Sequence, residues 1–444
     1  MTLVAVLLLP ALGAGALAVL PARVDRSARW VGVAVSGLTF LLSLGLIAGR
    51  SAGAAGDWQR VDVAWVPALG LRFHLGVDGI SLPLVLLTTL LTFLCAVYTL
   101  HSLPAPGRPA TLLALLLVLE VGMVGTFVAR DLLLFFVFFE VVLVPMYFVI
   151  AVWGGPRSRH AATKFVLYTL LGSVLLLVGL LIVYASAGTL DMVVLAHRHG
   201  AGIARSTQTL AFLALFLGLA VKSPLWPLHT WLPDAHTEAP TVGSVLLAGV
   251  LLKMGTYGIV RVALPIVPAG AVRLAPALAV LAVAGILVGA LCCFAQTDLK
   301  RLIAYSSVGH MGFVLLGLST LTAVGVQAAL IGNIAHGVIT GLLFFLVGGL
   351  KDRVHTGVMT EIGGGIGARL PRLGSLLTLT AIASLGLPGL AGFWGEAFAV
   401  AGAYRPAHAL PRTLYLALAV LAAAGAALAA VYFLRMLRVV VAGP

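Results

Sequence analysis

Leu210–Trp226 reads LAFLALFLGLAVKSPLW, a long apolar run closed by Lys222. A second lysine, Lys253, stands in the middle of the apolar stretch from Val242 to Val267. Apolar runs of about 20 residues are what a helix needs to cross the hydrocarbon core of a bilayer. A lysine at that depth costs roughly 3 kcal/mol and defaults to a functional hypothesis. Its stem reaches only ~6 Å, whereas the midplane lies ~15 Å from the headgroups, so Lys253 does not snorkel out easily. The two lysines point to a helical membrane protein that moves charge, with lysine as a carrier.

Outward from this segment the pattern repeats. Apolar runs fall at 2–20, 30–49, 79–101, 109–129, 132–153, 162–186, 208–231, 241–267, 275–297, 301–320, 325–350, 373–404 and 409–438. That makes about thirteen spans of an all-α membrane protein. The seventh holds Pro224 and Pro227 directly after Lys222, and the twelfth reads SLGLPGLAGFWGEAF, with Pro388 ahead of Glu396. Both are expected to be broken helices, which transporters tolerate where they line a path. The breaks lie five spans apart and imply two inverted five-helix repeats. A faint echo supports them: DLLLFFVFFE begins at Asp131 and DLKRLIAYSSVGH at Asp298. Residues 50–78 form a polar link, so the chain divides into 1–78, a core at 79–404, and a final span at 405–444.

The 444 residues are 61% hydrophobic and 9% charged. No soluble fold needs so much apolar surface, and a β-barrel would show alternating decamers instead. The net charge of +13 is carried by arginines in short links such as PARVDRSARW and GGPRSRH. That distribution fixes topology and meets lipid headgroups; it is not a nucleic-acid patch. A modest Lys/Arg bias places the N-terminus outside. Cys95, Cys292 and Cys293 lie in apolar runs, with no disulfide framework and no CxxC. There is no Walker A, GxGxxG, HExxH or GxSxG context, so any redox centre is expected in other chains.

The ionisable residues placed at mid-membrane depth are Glu120, Glu140, Lys164, Lys222, Lys253, His310, His336 and Glu396. Glu140 and Lys222 are the expected first pair. Burial favours the neutral form of each, and an opposite charge nearby favours the charged form. A lysine that alternates between paired and unpaired states therefore takes up and releases a proton. Lys253, His310 and His336 are the expected relay, since histidine titrates nearest neutrality, and Glu396 the terminal exchange group. The competing reading for Glu140, Lys222, Lys253 and Glu396 is static ion pairing between helices. For Glu120 it is a structural partner of an arginine or lysine, and for Lys164, near a span start after a basic loop, a snorkelling lysine. His229 and His236 flank the WLPDAHTEAP link, where an interfacial histidine is equally natural.

The segment Leu219–Arg261, LAVKSPLWPLHTWLPDAHTEAPTVGSVLLAGVLLKMGTYGIVR, resembles the signature of antiporter-like subunits of respiratory complex I, the proton-pumping NADH–quinone oxidoreductase. LLLFFVFFEVVLVPMYFVI around Glu140, DLKRLIAYSSVGHMGF around His310, GNIAHGVITGLLFFLVGGL around His336 and LPGLAGFWGEAF around Glu396 fit as well. The likeness runs from about residue 79 to about 404. It implies that Glu140 is the family's carboxylate on the fifth span and pairs with Lys222, and that Lys253, His310 and His336 lie on its central axis. Glu396 stands where sister subunits carry lysine, which favours the subunit M branch; His229 and His236 fall where the family has histidines. The resemblance implies no cofactor in this chain. NADH, FMN, iron–sulfur clusters and quinone are expected in partner subunits of a complex in the cell inner membrane. Family members usually have fourteen spans, and this sequence is expected to stop after its thirteenth. A subunit of a multi-subunit sodium/proton antiporter, or of a membrane-bound hydrogenase complex, is the alternative.

Overall fold

A computed structural model describes residues 1–20, 25–49 and 56–443. Its helices are α1 Thr2–Val19, α2 Asp25–Leu44, α3 Ser81–His101, α4 Pro109–Val128, α5 Leu132–Val141, α6 Leu143–Trp153 and α7 Ser158–Ala187. Then follow α8 Met192–Arg198, α9 Arg205–Lys222, α10 Trp231–Glu238, α11 Thr241–Leu246, α12 Leu252–Gly258, α13 Leu264–Ile266 and α14 Pro268–Phe294. The chain closes with α15 Leu299–Ser319, α16 Ala323–Val354, α17 Met359–Ile362, α18 Ile366–Arg369, α19 Pro371–Ser384, α20 Ala391–Tyr404 and α21 Arg412–Leu437. Among the described residues ten helical spans are long and apolar enough to cross a membrane. The protein is a multi-pass integral membrane protein. Of the other expected runs, the first is the shorter α1, and those at 208–231 and 373–404 are interrupted.

The interruptions have the expected cause. α9 ends at Lys222, and Pro224 and Pro227, without backbone N–H groups, cannot continue its ladder; the chain resumes as α10 at Trp231. α19 ends at Ser384 and α20 starts at Ala391. Between them Gly386 (φ +78°) and Gly389 (φ +95°) adopt a backbone that L side chains rarely enter.

One element departs from the helical expectation. The polar link holds an antiparallel hairpin, β1 Trp58–Val66 with β2 Leu71–Val77. Its alternation of apolar and polar residues is a strand signal, overlooked because a polar stretch between spans reads as loop.

The chain forms two compact units. The first comprises Met1–Leu219, Glu238–Leu246 and Tyr257–Gly270; the second comprises Ala220–Thr237, Leu247–Thr256 and Ala271–Pro444. In the first, α1 packs on α2 and α4, and α6 on α7. A Cβ at Gly125 would stand 2.2 Å from the Phe138 ring, so glycine is what lets α4 meet α5. In the second, α16 packs on α15 and α20. A Cβ at Gly395 would stand 2.7 Å from the Gly332 Cα. That approach of α16 and α20 sits one residue from Glu396 and one turn from His336.

The echo between Asp131 and Asp298 is structural. Asp131 caps α5 by accepting from the Leu133 and Leu134 amides, and Asp298 caps α15 by accepting from the Arg301 amide. Each aspartate also forms an isolated bridge sixty residues on, to Asp191 and to Val358. The flanking hydrogen bonds match as well: Leu132 N to Leu190 O and Leu299 N to Gly357 O, both 2.9 Å.

Within the first unit Arg130, 1% exposed, is held by carboxylates. It donates to Asp57 twice, at 2.6 and 2.8 Å, and to the Tyr257 hydroxyl at 3.2 Å. Asp78 lies 3.6 Å from it and also accepts from Arg261 at 2.5 Å. Burial pushes the Asp78 carboxyl up, but Arg261, Arg130 and the hydrogen bonds outweigh it and hold the carboxyl at about 2.

Candidate functional site

The two units each carry part of the expected constellation. In the first, Glu140 sits one residue before the end of α5, where the helix breaks at Val142 and restarts as α6. Pro145 explains the break, because it cannot donate to the carbonyl four residues earlier. The Glu140 carboxylate accepts a short hydrogen bond from the Ser173 hydroxyl of α7. Lys164 is half-buried on α7, about two and a half turns before Ser173. Glu120 on α4 is fully buried, and neither of its carboxyl oxygens has a hydrogen-bond partner among the described residues. It is a titratable group held away from solvent and from protein donors alike.

In the second unit Lys222, 2% exposed, is the last residue of α9. Carbonyls at a helix C-terminus favour a cation. The Trp231 indole closes the break behind it by donating to the Val221 carbonyl at 3.1 Å. His229 and His236 are both buried; His229 lies edge-on to Tyr305 and His236 stacks on Phe344, with ring centroids 4.7 Å apart.

Lys253 is completely buried. A π turn, Leu247–Leu251, precedes α12, and Lys253 is the second residue of that helix. A π turn shifts the backbone ladder by one residue, and such turns concentrate at functional sites. The Lys253 ammonium donates to the Ala248 carbonyl inside this turn and lies 2.6 Å from His336 Nδ1. A hydroxyl below holds the next turn: Thr256 Oγ lies 3.1 Å from both the Lys253 carbonyl and the Asn333 side-chain oxygen on α16.

The arrangement continues beyond His336. Its ring is 5.7 Å, centroid to centroid, from that of His310, and its Nε2 is buried with no hydrogen-bond partner among the described residues. His310 Nδ1 lies 3.0 Å from Glu396 Oε1, and His310 Nε2 lies 3.1 Å from Ser384 Oγ. His310, His336, Ser384 and Glu396 line one cavity, with ≈ 20 Å³ open to water-sized spheres. That is room for about one water molecule.

In space the side chains follow one another as Lys253, His336, His310, Glu396, whereas the sequence order is Lys253, His310, His336, Glu396. Position along the chain does not give order in space. Sequence reading also missed Ser173, Ser384, Asn333 and the Ala248 carbonyl. Serine, asparagine and alanine in apolar runs look like small-residue packing, and a backbone acceptor leaves no trace in the letters.

Comparison with known proteins returns a consistent set. The family model described as NADH:quinone oxidoreductase/Mrp antiporter, TM, matches residues 129–423. NAD(P)H-quinone oxidoreductase chain 4 1 of a Nostoc species is 40% identical over 444 residues, 99% of this chain and 81% of that protein. NADH-quinone oxidoreductase subunit M of Rhodobacter capsulatus is 42% identical over 429 residues, 94% of this chain and 81% of that one. A chain of respiratory complex I from Thermus thermophilus with bound NADH superposes with a TM-score of 0.88 at 33% identity, covering 100% of this chain and 90% of that one. A chain of the Mrp complex from Dietzia superposes with a TM-score of 0.87 at 23% identity, covering 99% and 80%, and shares the fold.

Proposed function

This chain belongs to the NADH:quinone oxidoreductase/Mrp antiporter membrane-subunit family, and on that premise we propose that it carries protons across the membrane for an NADH–quinone oxidoreductase. The observation that carries the reading is the buried sequence of exchangeable groups from Lys253 through His336 and His310 to Glu396. NADH, FMN, iron–sulfur clusters and quinone belong to partner subunits of the complex, and the membrane is the cell inner membrane. The transport core is residues 79–404, flanked by the N-terminal spans with their polar link and by the C-terminal span. The two repeats run in inverted senses through the bilayer.

The geometry supports a stepwise transfer. An ammonium only donates, so His336 Nδ1 accepts from Lys253 and Nε2 carries the ring hydrogen. When Lys253 gives up its proton, Nδ1 takes it and Nε2 releases its own toward the cavity. The imidazole thereby moves one proton without storing net charge. Glu396, as a carboxylate, only accepts, so His310 Nδ1 is the donor that delivers to it. The Ala248 carbonyl cannot take a proton; it holds the ammonium in place while His336 exchanges with it. Glu140 and Lys222 form the input pair, in which a change in the Glu140 environment alters how tightly Lys222 holds its proton. Glu120, Lys164, His229 and His236 are secondary candidates for the water-connected route to these groups.

Sequence similarity separates this reading from sodium/proton exchange or a hydrogenase-type complex. The curated relatives at 40–42% identity are quinone oxidoreductase chains, while the Mrp likeness is one of fold. The test compares wild type with Glu140→Gln and Lys222→Ala in inverted membrane vesicles given NADH, with assembly checked in the same membranes. Both variants are expected to assemble and to lose the proton gradient together with much of the coupled NADH oxidation. An assembled variant that pumps normally would overturn the input pair. Sodium-dependent exchange without any response to NADH would favour the antiporter.

A further inference from the structure

His310 has two ring nitrogens, and both are engaged: Nδ1 with Glu396 and Nε2 with Ser384. An imidazole has no third hydrogen-bonding atom. His336 therefore does not hand a proton straight to His310, although the rings stand edge to face at 5.7 Å. The only described side-chain polar atom bonded to His310 Nε2 is the Ser384 hydroxyl.

We infer that Ser384 is an obligatory relay residue of this path, its hydroxyl passing the proton that leaves His336 Nε2 to His310 Nε2. The inference rests on the proton-carrying reading above and adds a residue to it. Glu396 as a carboxylate fixes the direction. His310 Nδ1–H donates to Glu396, which makes Nε2 of the neutral ring the acceptor and the Ser384 O–H its donor. In the transfer the Ser384 O–H bond breaks as His310 Nε2–H forms, and His310 Nδ1–H breaks as Glu396 Oε1–H forms. Ser384 Oγ is beyond hydrogen-bond reach of His336 Nε2. The proton therefore crosses the cavity that these residues line on the one water it has room for, which takes the proton from Nε2 as it gives one of its own to Ser384 Oγ. One proton enters, one reaches Glu396, and Ser384 and His310 end neutral; rotation of the hydroxyl and release from Glu396 reset the path.

The fold places this hydroxyl deliberately at a break. Ser384, 2% exposed, is the last residue of α19, and Glu396 lies in the second turn of α20. The two halves of the interrupted helix thus meet on opposite nitrogens of one histidine. Gly386, between them, leaves room for the carboxylate: a Cβ there would stand 2.8 Å from Glu396 Oε2.

Threonine and valine share a shape and differ by the hydroxyl, so the decisive pair is Ser384→Thr against Ser384→Val in the intact complex. Protons translocated per NADH oxidised are measured in inverted vesicles, beside wild type and Glu396→Gln, with assembly checked. Ser384→Val is expected to lose the same share of pumping as Glu396→Gln, and Ser384→Thr to keep the wild-type ratio. Ser384→Ala, which adds no bulk, should match Ser384→Val and serves if valine blocks assembly. Valine or alanine variants that pump like wild type while Glu396→Gln does not would overturn the relay and leave the broader reading intact. Should Glu396→Gln itself pump normally, the broader reading fails along with the relay.

Discussion

Lys253→Met is expected to assemble and yet to lower NADH-driven acidification of inverted vesicles about a hundredfold or more, the scale of losing a positioned proton-transfer group. Methionine matches the lysine stem in length and suits an apolar site. It offers no proton, and it leaves the Ala248 carbonyl and His336 Nδ1 without the ammonium they both accept from. Lys253→Arg separates charge from exchange. Arginine keeps the charge but stays protonated at any relevant pH, so a carrier role requires Lys253→Arg to fail as badly as Lys253→Met. Normal pumping by Lys253→Arg would make the lysine a structural cation.

The second large effect concerns folding. Arg130→Met is expected to deplete the assembled subunit from the membrane. Arg130 is buried, with two hydrogen bonds to Asp57, a contact to Asp78 and a bond to Tyr257. Removing one partner from such a network strands the others and costs about 3–5 kcal/mol. Subunit abundance and thermal stability in detergent are the readouts; wild-type abundance would mean the network contributes little. Pairing Arg130→Met with Asp57→Asn should recover part of the loss, since the stranded charge goes too. The network also sets an acid limit. Asp78 is held at about 2 against an ordinary value of 3.8. Its folded-state value is the lower one, so its stabilisation is complete above about pH 4 and fades as pH falls toward 2. Arg130→Met weakens that term by removing one of the two guanidiniums that hold Asp78 down.

The residues themselves settle a good deal. Apolar length and the near-absence of charge dictate spans, since a bilayer leaves a backbone no other way to satisfy its polar groups. Pro224, Pro227 and Pro388 dictate where two spans break, because the missing N–H is a covalent fact. Lysines, histidines and glutamates inside those spans announce function by their cost alone. The aspartates at 131 and 298 already mark the repeats, and the geometry repeats with them down to the matching bridges.

Tertiary structure decided what depends on groups brought together from distant parts of the chain. Lys253 meets His336 from 83 residues away, and His310 meets Glu396 from 86. Which histidine stands next to Lys253 follows from how α12, α15, α16 and α20 pack, with glycines such as Gly332 and Gly395 setting how closely. The hairpin at Trp58–Val77 takes shape through cross-strand pairing, and Ser384 matters only through the histidine nitrogen it reaches. Propensity, span length and burial cost are local properties that a sequence carries residue by residue. The spatial order of buried side chains and the partner of a hydroxyl are relations between helices, and packing alone creates them.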